Sequence, residues 1–259
     1  MVRGFDEELF RALSSRAEGA LGHNLTYIRE TGSTNDDALR AAREGAPHGA
    51  LFVTDWQTRG RGRRGHTWES GRGENLTFSL LLRPRLPLDR LVALPLPVGL
   101  AVRELVARLV PQSEVRVKWP NDVMADSKKI AGILVESQLC GHQAEAVVVG
   151  VGLNVHMLAV PAALEDRATS LALLGVCNLR REELLVGLLS QLEQLLGAFE
   201  AKGLDPLLEA LTQYDFLQGR RVRVGEVSGI AAGIDPSGAL RVDTPVGVRL
   251  VTAGGVELA

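Results

Sequence analysis

The feature that most constrains the fold is a succession of short apolar runs separated by turns and loops. They are ALFVTDWQ (50–57), NLTFSLLLR (75–83), EVRVKW (114–119), KIAGILVESQ (129–138) and AEAVVVGVGLNV (144–155). Runs of this length, bounded by turn residues, predict β-strands. Because strands that follow one another directly usually pair as antiparallel neighbours, we expect a largely antiparallel sheet and not a doubly wound parallel one.

Helical patterns surround these runs. TGSTNDDALRAAREG (31–45) has helix-capping residues at its start and a glycine at its end, which predicts a helix. A second helix is expected between positions 88 and 110, and a third begins at 180, where apolar residues keep a helical period. Residues 1–25 predict a helical extension, with Ala17 on its apolar side.

After Gln218 the pattern changes to short β runs separated by Gly, Pro and Asp turns. This spacing is typical of a small barrel or sandwich. We therefore expect an α+β protein with a mixed, largely antiparallel sheet over 1–217 and a small C-terminal β-barrel over 218–259.

The composition excludes several classes of protein. Of 259 residues, 46% are hydrophobic and 23% are charged, and the net charge of -2 lacks the excess of positive charge typical of nucleic-acid binders. Cys140 and Cys177 lie far apart without metal-ligand spacing, which predicts buried thiols in a reducing compartment and no structural metal. The sequence shows no uninterrupted apolar stretch of membrane-spanning length, so we expect a cytoplasmic protein without a membrane contact.

The loop after the first run contains GRGRRG (60–65), which matches the G-x-G-x-x-G spacing of dinucleotide-binding turns. That fingerprint requires a helix at its last glycine and an acid about twenty positions later, and neither follows here. Residues 59–72 instead combine glycines with arginines at 59, 61, 63, 64 and 72 against one acid, Glu69. Such a loop suits a polyanionic ligand. A solvated basic loop and a nucleic-acid contact, with Trp56 and Trp68 as stacking residues, remain alternatives.

Three further segments carry polar residues in apolar surroundings. VKWPNDV (117–123) combines a lysine, an amide and a carboxylate around a proline turn, and Lys129 precedes Gly132 in the next run. Asn154 follows two glycines in an apolar strand. Each feature also has a structural interpretation, as an ordinary turn, a close backbone approach or a buried hydrogen-bonding amide.

Together and in this order, the segments resemble the catalytic domain of biotin protein ligases. The resemblance rests on TGSTN (31–35), QTRGRGRRGHTW (57–68), KWPND (118–122), KIAGILVE (129–136), GVGLN (150–154) and ATSL (168–171). It implies a class II aminoacyl-tRNA synthetase-like fold. GIDPSGAL (233–240) is similar to the small Src-homology-3-like C-terminal barrel of that family.

The resemblance implies a two-step reaction that uses biotin, ATP and Mg²⁺. Biotin is activated as biotinyl-5′-AMP and then transferred to a lysine of the biotin carboxyl carrier protein of acetyl-CoA carboxylase. Only about 25 residues precede the matching region. We therefore expect a monofunctional ligase without sequence-specific DNA binding, and the sequence leaves a homodimer open. A lipoate or octanoate ligase of the same fold is the nearest alternative.

By the same resemblance, residues are assigned to three overlapping sets. The catalytic set is Arg63, Lys118, Asp122 and Lys129, with Asp122 as the Mg²⁺ ligand. The biotin-binding set is Ser33, Thr34, Asn35, Gln57, Arg61, Gly62, Arg63, Lys129 and Gly132. The set for ATP and the adenylate is Arg63, Arg64, Trp68, Lys118, Asn121, Lys129 and Asn154. Hydrogen bonding from a loop arginine is the alternative role for Asp122.

Two positions depart from the family pattern. His66 stands where relatives commonly have arginine, and Gly254-Gly255-Val256 stands where they often have a glycine, an acid and a valine. The second departure leaves open whether the barrel contacts the site. Because neighbouring arginines repel one another, we also expect the 59–73 loop to be mobile without ligand and to become ordered with biotin or the adenylate.

Overall fold

A computed structural model describes residues 3–16, 19–141, 143–160 and 164–258. Its α-helices are Glu7–Ser14 (α1), Thr34–Arg43 (α2), Leu88–Leu91 (α3), Pro95–Leu109 (α4), Arg181–Lys202 (α5) and Leu208–Gln213 (α6). The strands of the first part are Leu25–Thr31 (β1), Leu51–Gln57 (β2), Asn75–Leu82 (β3), Val115–Lys118 (β4), Asp122–Ala125 (β5), Lys128–Cys140 (β6) and Gln143–Asn154 (β7). The C-terminal strands are Arg221–Val224 (β8), Val227–Ile234 (β9), Leu240–Thr244 (β10), Gly247–Val251 (β11) and Glu257–Leu258 (β12).

The first seven strands form one mixed sheet in the order β1-β2-β3-β7-β6-β5-β4. β1 and β2 are parallel, and the other neighbouring pairs are antiparallel. The predicted α+β class and largely antiparallel sheet are confirmed. Two strands were not predicted: β1, because LTYIRET lacks an apolar run, and β5, because its first residue, Asp122, was interpreted as part of a turn.

The two faces of the sheet have different roles, and β3 shows the division clearly. Leu76, Phe78 and Leu80 are fully buried on the face covered by α4 and α5. Each such side chain contributes roughly 1.5–3 kcal/mol through burial. The alternating polar residues of β3 point to the opposite face, because neighbouring side chains of a strand alternate between faces.

Helix α2 covers only part of that opposite face. Its Ala38 and Ala42 pack with Phe52 of β2 and Leu81 of β3. The helix begins directly after Ser33, its N-cap residue, and therefore places its polar first turn beside the middle of the sheet.

The C-terminal domain is a five-stranded antiparallel sheet in the order β11-β10-β9-β8-β12. The segment leading to it pairs with edge strand β4, where Val117 N–H donates to Tyr214 O at 2.8 Å and Phe216 N–H donates to Val117 O at 2.9 Å. The indole of Trp119 donates to Gly238 O of the domain at 3.0 Å. These bonds hold the domain beside the 118–122 turn.

Several predictions about the periphery need correction. The N-terminal helix is shorter than expected, since α1 spans Glu7–Ser14 with Phe10 buried, and Ala17 lies outside the described residues. Cys140 and Cys177 are exposed, so the prediction of buried thiols was wrong. They lie where β6 ends at a hairpin turn and in the loop before α5.

One helix also bears on the expected lack of a membrane contact. Helix α5 is long and apolar enough to span a membrane by length and composition alone. In this fold Leu185, Leu188 and Leu192 of the helix are buried in the core, where α5 packs against α4. The length and apolar composition of α5 therefore also fit a core helix that packs beside the seven-stranded sheet.

Candidate active site

A cavity of about 670 Å³ lies between the open face of the sheet, the arginine loop and the C-terminal domain. This volume is in the range of small-molecule sites. Every residue of the three predicted sets lines it. The structure therefore brings together segments that are more than 100 positions apart in the chain, from Ser33 to Asn154.

Glycines form the floor of the cavity. Gly132 of β6 and Gly152 of β7 lie opposite each other. Gly150, two residues before Gly152, lies on the same face of β7. A Cβ atom at Gly152 would overlap the indole of Trp68, and one at Gly150 would overlap the amide of Asn35. The absence of these side chains lets Trp68 and α2 lie directly on the sheet.

One end of the cavity is polar and nearly neutral. Thr34 N–H donates to Gln57 Oε1 at 2.8 Å. Ser79 Oγ lies 2.7 Å from Thr34 Oγ1 and 2.5 Å from Asn35 Oδ1. Thr34, Asn35 and Ser79 are buried around the first turn of α2 with Ser33 beside them, and Gln57 is partly buried. They offer a fixed pattern of hydrogen-bond donors and acceptors to a polar ring.

Arg61 connects the loop to this end through two acids that were not predicted. Its guanidinium lies 2.6 Å from Asp36 Oδ1 on α2 and 2.8 Å from Glu136 Oε2 on β6. Glu136 also accepts a hydrogen bond from Asn35 Nδ2 at 2.7 Å. The first half of the loop is therefore fastened over the neutral end.

The other end of the cavity is cationic. Lys129 Nζ lies 2.6 Å from Asp122 Oδ1 and 5.5 Å from the ring centroid of Trp68. Arg63 donates to Asn121 Oδ1 at 3.4 Å. Asp122 pairs with Lys129 and not with a loop arginine, so the alternative role for this carboxylate is not what the structure shows.

Burial perturbs two of these cations. Burial is the main cause that lowers the pKa of Lys118, and the neighbouring charges of Lys129, Arg167 and Arg220 lower it further while Asp122 opposes them. Burial also lowers the pKa of half-buried Arg63. Because Lys118, Lys129 and Arg63 lie close together around Asp122, a bound polyanion would relieve their mutual repulsion.

The amides of the predicted nucleotide set are held by backbone groups. Asn121 Nδ2 donates to Ile133 O at 2.7 Å, and Ile133 N–H donates to Asn121 O at 2.9 Å. Asn154 Nδ2 donates to Thr169 O at 2.9 Å. Trp68 Nε1 is buried without a partner among the described residues. Asn121 and Asn154 are thus rigid, while Trp68 retains a free donor.

The C-terminal domain contributes to the cavity even without the acid that relatives often have. Gly254, Gly255 and Val256 line it together with Phe216. A Cβ atom at Gly255 would lie 3.6 Å from Arg64 Nη1. His66 also lines the cavity and is exposed. The barrel therefore contacts the site beside the loop.

Several lining or supporting residues were missed by sequence reasoning. Asn75, Thr77 and Ser79 occupy alternate positions of β3 on the cavity face, and Glu136 shares its face of β6 with Gly132. The signal was available, because three polar residues at every second position of NLTFSLLL mark one polar face in a strand that is otherwise apolar.

The structure also decides between interpretations of GRGRRG. Only a single 3-10 turn, Arg63–Gly65, occurs in the loop before β3 begins at Asn75. The structure therefore agrees with the rejection of a dinucleotide-binding turn from the sequence, since no helix presents its N-terminus to a phosphate there. The ring of Trp56 is covered by Arg72 at 3.8 Å, whereas Trp68 points into the cavity.

Comparison with known proteins identifies the family. The profile of the biotin/lipoate A/B protein ligase family matches residues 27–154, and that of the biotin protein ligase C-terminal domain matches 219–258. The biotin--[acetyl-CoA-carboxylase] ligase of Mycobacterium tuberculosis is 37% identical over 92% of this chain and 90% of its own length. The chain belongs to the biotin/lipoate A/B protein ligase family. The resemblance inferred from the motifs is confirmed.

Two further relatives agree with this assignment. The biotin--[acetyl-CoA-carboxylase] ligase of Paracoccus denitrificans is 32% identical over 88% of this chain and 98% of its own length. The biotin protein ligase of Aquifex aeolicus, solved in complex with biotin and ATP, is 30% identical and superimposes with a TM-score of 0.78. That alignment covers 91% of this chain and 98% of the Aquifex chain. The predicted catalytic fold and C-terminal domain are confirmed.

Proposed function

We propose that this chain activates biotin with ATP as biotinyl-5′-AMP and transfers the biotinyl group to a lysine of the biotin carboxyl carrier protein of acetyl-CoA carboxylase. The names of the Mycobacterium and Paracoccus relatives support the substrate and acceptor. The Aquifex complex supports the use of biotin and ATP. Residues 1–217 would form the catalytic part and 218–259 the C-terminal domain, acting in the cytoplasm.

The observation that carries the proposal is the division of one cavity into a neutral polar end and a cationic end. Biotin has a neutral ureido ring at one end and a carboxylate at the other, and ATP carries its charge on the triphosphate. If the ring binds near Thr34 and Gln57, the biotin carboxylate extends toward Lys129 and Arg63. The two reacting groups then meet where positive charge is concentrated.

In the first step, a biotin carboxylate oxygen attacks the α-phosphorus of ATP. A new oxygen–phosphorus bond forms, the bond to the β-phosphate bridge breaks, and pyrophosphate leaves with the electron pair. Two anions must approach each other, so positioning and positive charge supply most of the catalysis. We assign that work to Arg63, Lys118 and Lys129.

In the second step, the neutral amine of the acceptor lysine attacks the carbonyl carbon of the mixed anhydride. An amide bond forms, AMP leaves with the phosphate oxygen, and the amine loses a proton. The cations that stabilised the first transition state also stabilise the departing AMP. The same site therefore serves both steps.

We assign the neutral end to biotin and the region around Trp68 to the nucleotide. Ser33, Thr34, Asn35 and Gln57 would bind the ureido ring, and Ser79 joins them because it hydrogen-bonds Thr34 and Asn35. Loop residues and the strand glycine complete the biotin side: Arg61, Gly62, Arg63, Lys129 and Gly132. The nucleotide side comprises Arg63, Arg64, Trp68, Lys118, Asn121, Lys129 and Asn154.

Magnesium is assigned to Asp122. The described residues hold no group of three His, Cys, Asp or Glu side chains that could enclose a metal. The site therefore fits this ion only if the phosphates of ATP supply most of its ligands. Mg²⁺ in nucleotide sites usually has one or two carboxylates and the phosphates as ligands. Asp122 would supply the carboxylate, and the bound ion would neutralise phosphate charge.

Biotin-dependent exchange of pyrophosphate into ATP tests the proposed function. We expect exchange with biotin and not with lipoate or octanoate, followed by transfer to purified carrier protein when it is added. Exchange that depended on lipoate or octanoate would assign the chain to the other branch of the fold. No exchange with any acid would refute the adenylation step. The lack of DNA binding stays a prediction, and a homodimer stays open.

A further inference from the structure

Two buried asparagine side chains lie next to each other in the part of the cavity that is assigned to the nucleotide. Asn75 of β3 and Asn154 of β7 are directly opposed across the sheet. Asn154 lines the cavity, and Asn75 is 1% exposed. The two side chains are hydrogen-bonded to each other, but only Asn154 belongs to the set assigned to the nucleotide.

Backbone groups at both ends determine which way these amides face. Val155 N–H donates to Asn75 Oδ1 at 3.2 Å, and Asn154 Nδ2 donates to Thr169 O at 2.9 Å. Between them, Asn75 Nδ2 donates to Asn154 Oδ1 at 3.2 Å. A backbone N–H only donates and a carbonyl only accepts, so both ends independently require this one orientation of each amide.

A buried ion pair fixes the main chain of Asn75. Arg181 donates to Asn75 O at 3.2 Å and pairs with Asp55 Oδ1 at 2.7 Å. The Arg181 side chain is only 3% exposed. A buried Arg–carboxylate pair holds its groups in a defined geometry, so Arg181 fixes the main chain of Asn75 independently of Asn154.

The hydrogen bonds leave Asn154 with one amide hydrogen and one oxygen lone pair. That pair complements the edge of adenine, where the 6-amino group donates and the adjacent ring nitrogen accepts. A 6-oxopurine presents an acceptor at position 6 and mismatches it. Trp68 covers Gly152, which lies on the same face of β7 as Asn154, so an aromatic surface and this amide border the same part of the cavity.

We propose that Asn75 is a positioning residue that holds the Asn154 amide in the orientation that selects a 6-aminopurine nucleotide over a 6-oxopurine nucleotide. This proposal rests on the proposed function, because it assumes that ATP binds at the cationic end of the cavity. Without the Nδ2 donor of Asn75, Asn154 Oδ1 loses the group that faces it, and the hydrogen bond to Thr169 O alone resists a rotation that would present the amide hydrogen where the oxygen was.

Titration calorimetry with ATP and with ITP, in wild type and in Asn75→Leu, tests the proposal. Leucine is close to asparagine in size but cannot hydrogen-bond. We expect wild type to prefer ATP and the variant to lose about fivefold or more of the ATP-to-ITP affinity ratio, since a bidentate base contact gives about 1–3 kcal/mol of discrimination. An unchanged ratio, with both affinities lowered equally, would mean that Asn75 is only structural and would overturn the proposal.

Ser79→Ala is the matched control, because Ser79 is also a buried polar residue on the same face of β3. We expect it to raise the KM for biotin and to leave the ATP-to-ITP ratio unchanged. A ratio that fell equally in both variants would indicate general damage to β3 and would also overturn the proposal.

Two further measurements keep the test decisive. If Asn75→Leu does not fold, Asn75→Asp replaces it at pH 9, where an ionised carboxylate accepts from Val155 but cannot donate to Asn154. Its ratio should again fall, and a wild-type ratio would count against the proposal. Calorimetry needs no turnover, so an ATP preference without biotin-dependent exchange would refute the proposed function alone.

Discussion

At the scale of single residues, Lys129 shows how a site gains a precisely placed charge. Its backbone is fixed on both sides, because Lys129 N–H donates to Arg167 O at 2.8 Å and Thr169 N–H donates to Lys129 O at 2.9 Å. Its ammonium then reaches Asp122 at the cationic end of the cavity. A compact ammonium on a fixed backbone suits an anion that develops at one point.

Replacing Lys129 with alanine should slow biotin-dependent pyrophosphate exchange by about 100-fold or more, since one lost charged contact to a transition state costs that much. The change also leaves Asp122 without its cation, next to the phosphates. Lys128→Ala is the matched control, because Lys128 is the adjacent residue and donates to Glu165 O instead. Exchange that was nearly normal in Lys129→Ala would remove Lys129 from the catalytic set.

At the scale of elements, the loop from 59 to 73 is held at both ends. Arg59 N–H donates to Gly32 O at 3.0 Å, and Gly73 N–H donates to Asp55 O at 2.8 Å. Within it, Trp68 N–H donates to Gly60 O at 3.0 Å, and a Cβ atom at Gly60 would overlap the carbonyl of Trp68. The glycines therefore permit close backbone approach. Mobility of the loop without ligand stays a prediction.

Replacing Arg63 with glycine should loosen the hold on the adenylate and release it before transfer. Arg63 is half-buried at the cationic end, so its loss removes a charge that would face the phosphate. The measurement is the rate at which biotinyl-5′-AMP appears in solution and biotinylates lysines of a bystander protein. Arg59→Gly, at an exposed loop position, is the control. Lost activity without faster release would make Arg63 catalytic but not a gate.

At the scale of the whole molecule, Asp215 lies where the catalytic part meets the C-terminal domain. It is 1% exposed, its Oδ1 accepts from Leu217 N–H at 2.8 Å, and its Oδ2 has no partner among the described residues. Burial raises the pKa of this carboxyl to about 6, while Arg116 and Arg220 oppose the shift. Ionisation of this carboxyl is therefore less favourable in the folded protein than in the unfolded chain.

Asp215→Asn should stabilise the protein above pH 6. Because the folded pKa of about 6 exceeds the ordinary pKa of 3.8, the wild type loses stability as pH rises through this range and stays less stable above it. We expect a gain on the order of 2 kcal/mol at pH 8, shrinking toward pH 4. Thermal unfolding at both pH values measures it, with exposed Asp205→Asn as control. An equal change at both pH values would contradict the ionisation.

The sequence by itself determined the strand succession, the helices after Ser33 and Arg180, and most of the segments that line the cavity. Those features depend on local periodicity, on helix caps and on short motifs, all of which can be recognised from neighbouring residues in the sequence. Strands β1 and β5 escaped, because β1 has no apolar run and Asp122 has the local chemistry of a turn. Their strand conformation comes from pairing with β2, β4 and β6.

Only the tertiary structure decided which groups face one another. Asp122 meets Lys129, Arg61 meets Asp36 and Glu136, and Asn75 meets Asn154. Sequence reasoning could name a charged or amide side chain, but its partner depends on sheet register and on where the loop folds back. The burial that shifts the pKa of Lys118 and Asp215 likewise depends on distant elements. Short sequence motifs indicate which chemical groups are present, whereas long-range packing determines how those groups are arranged.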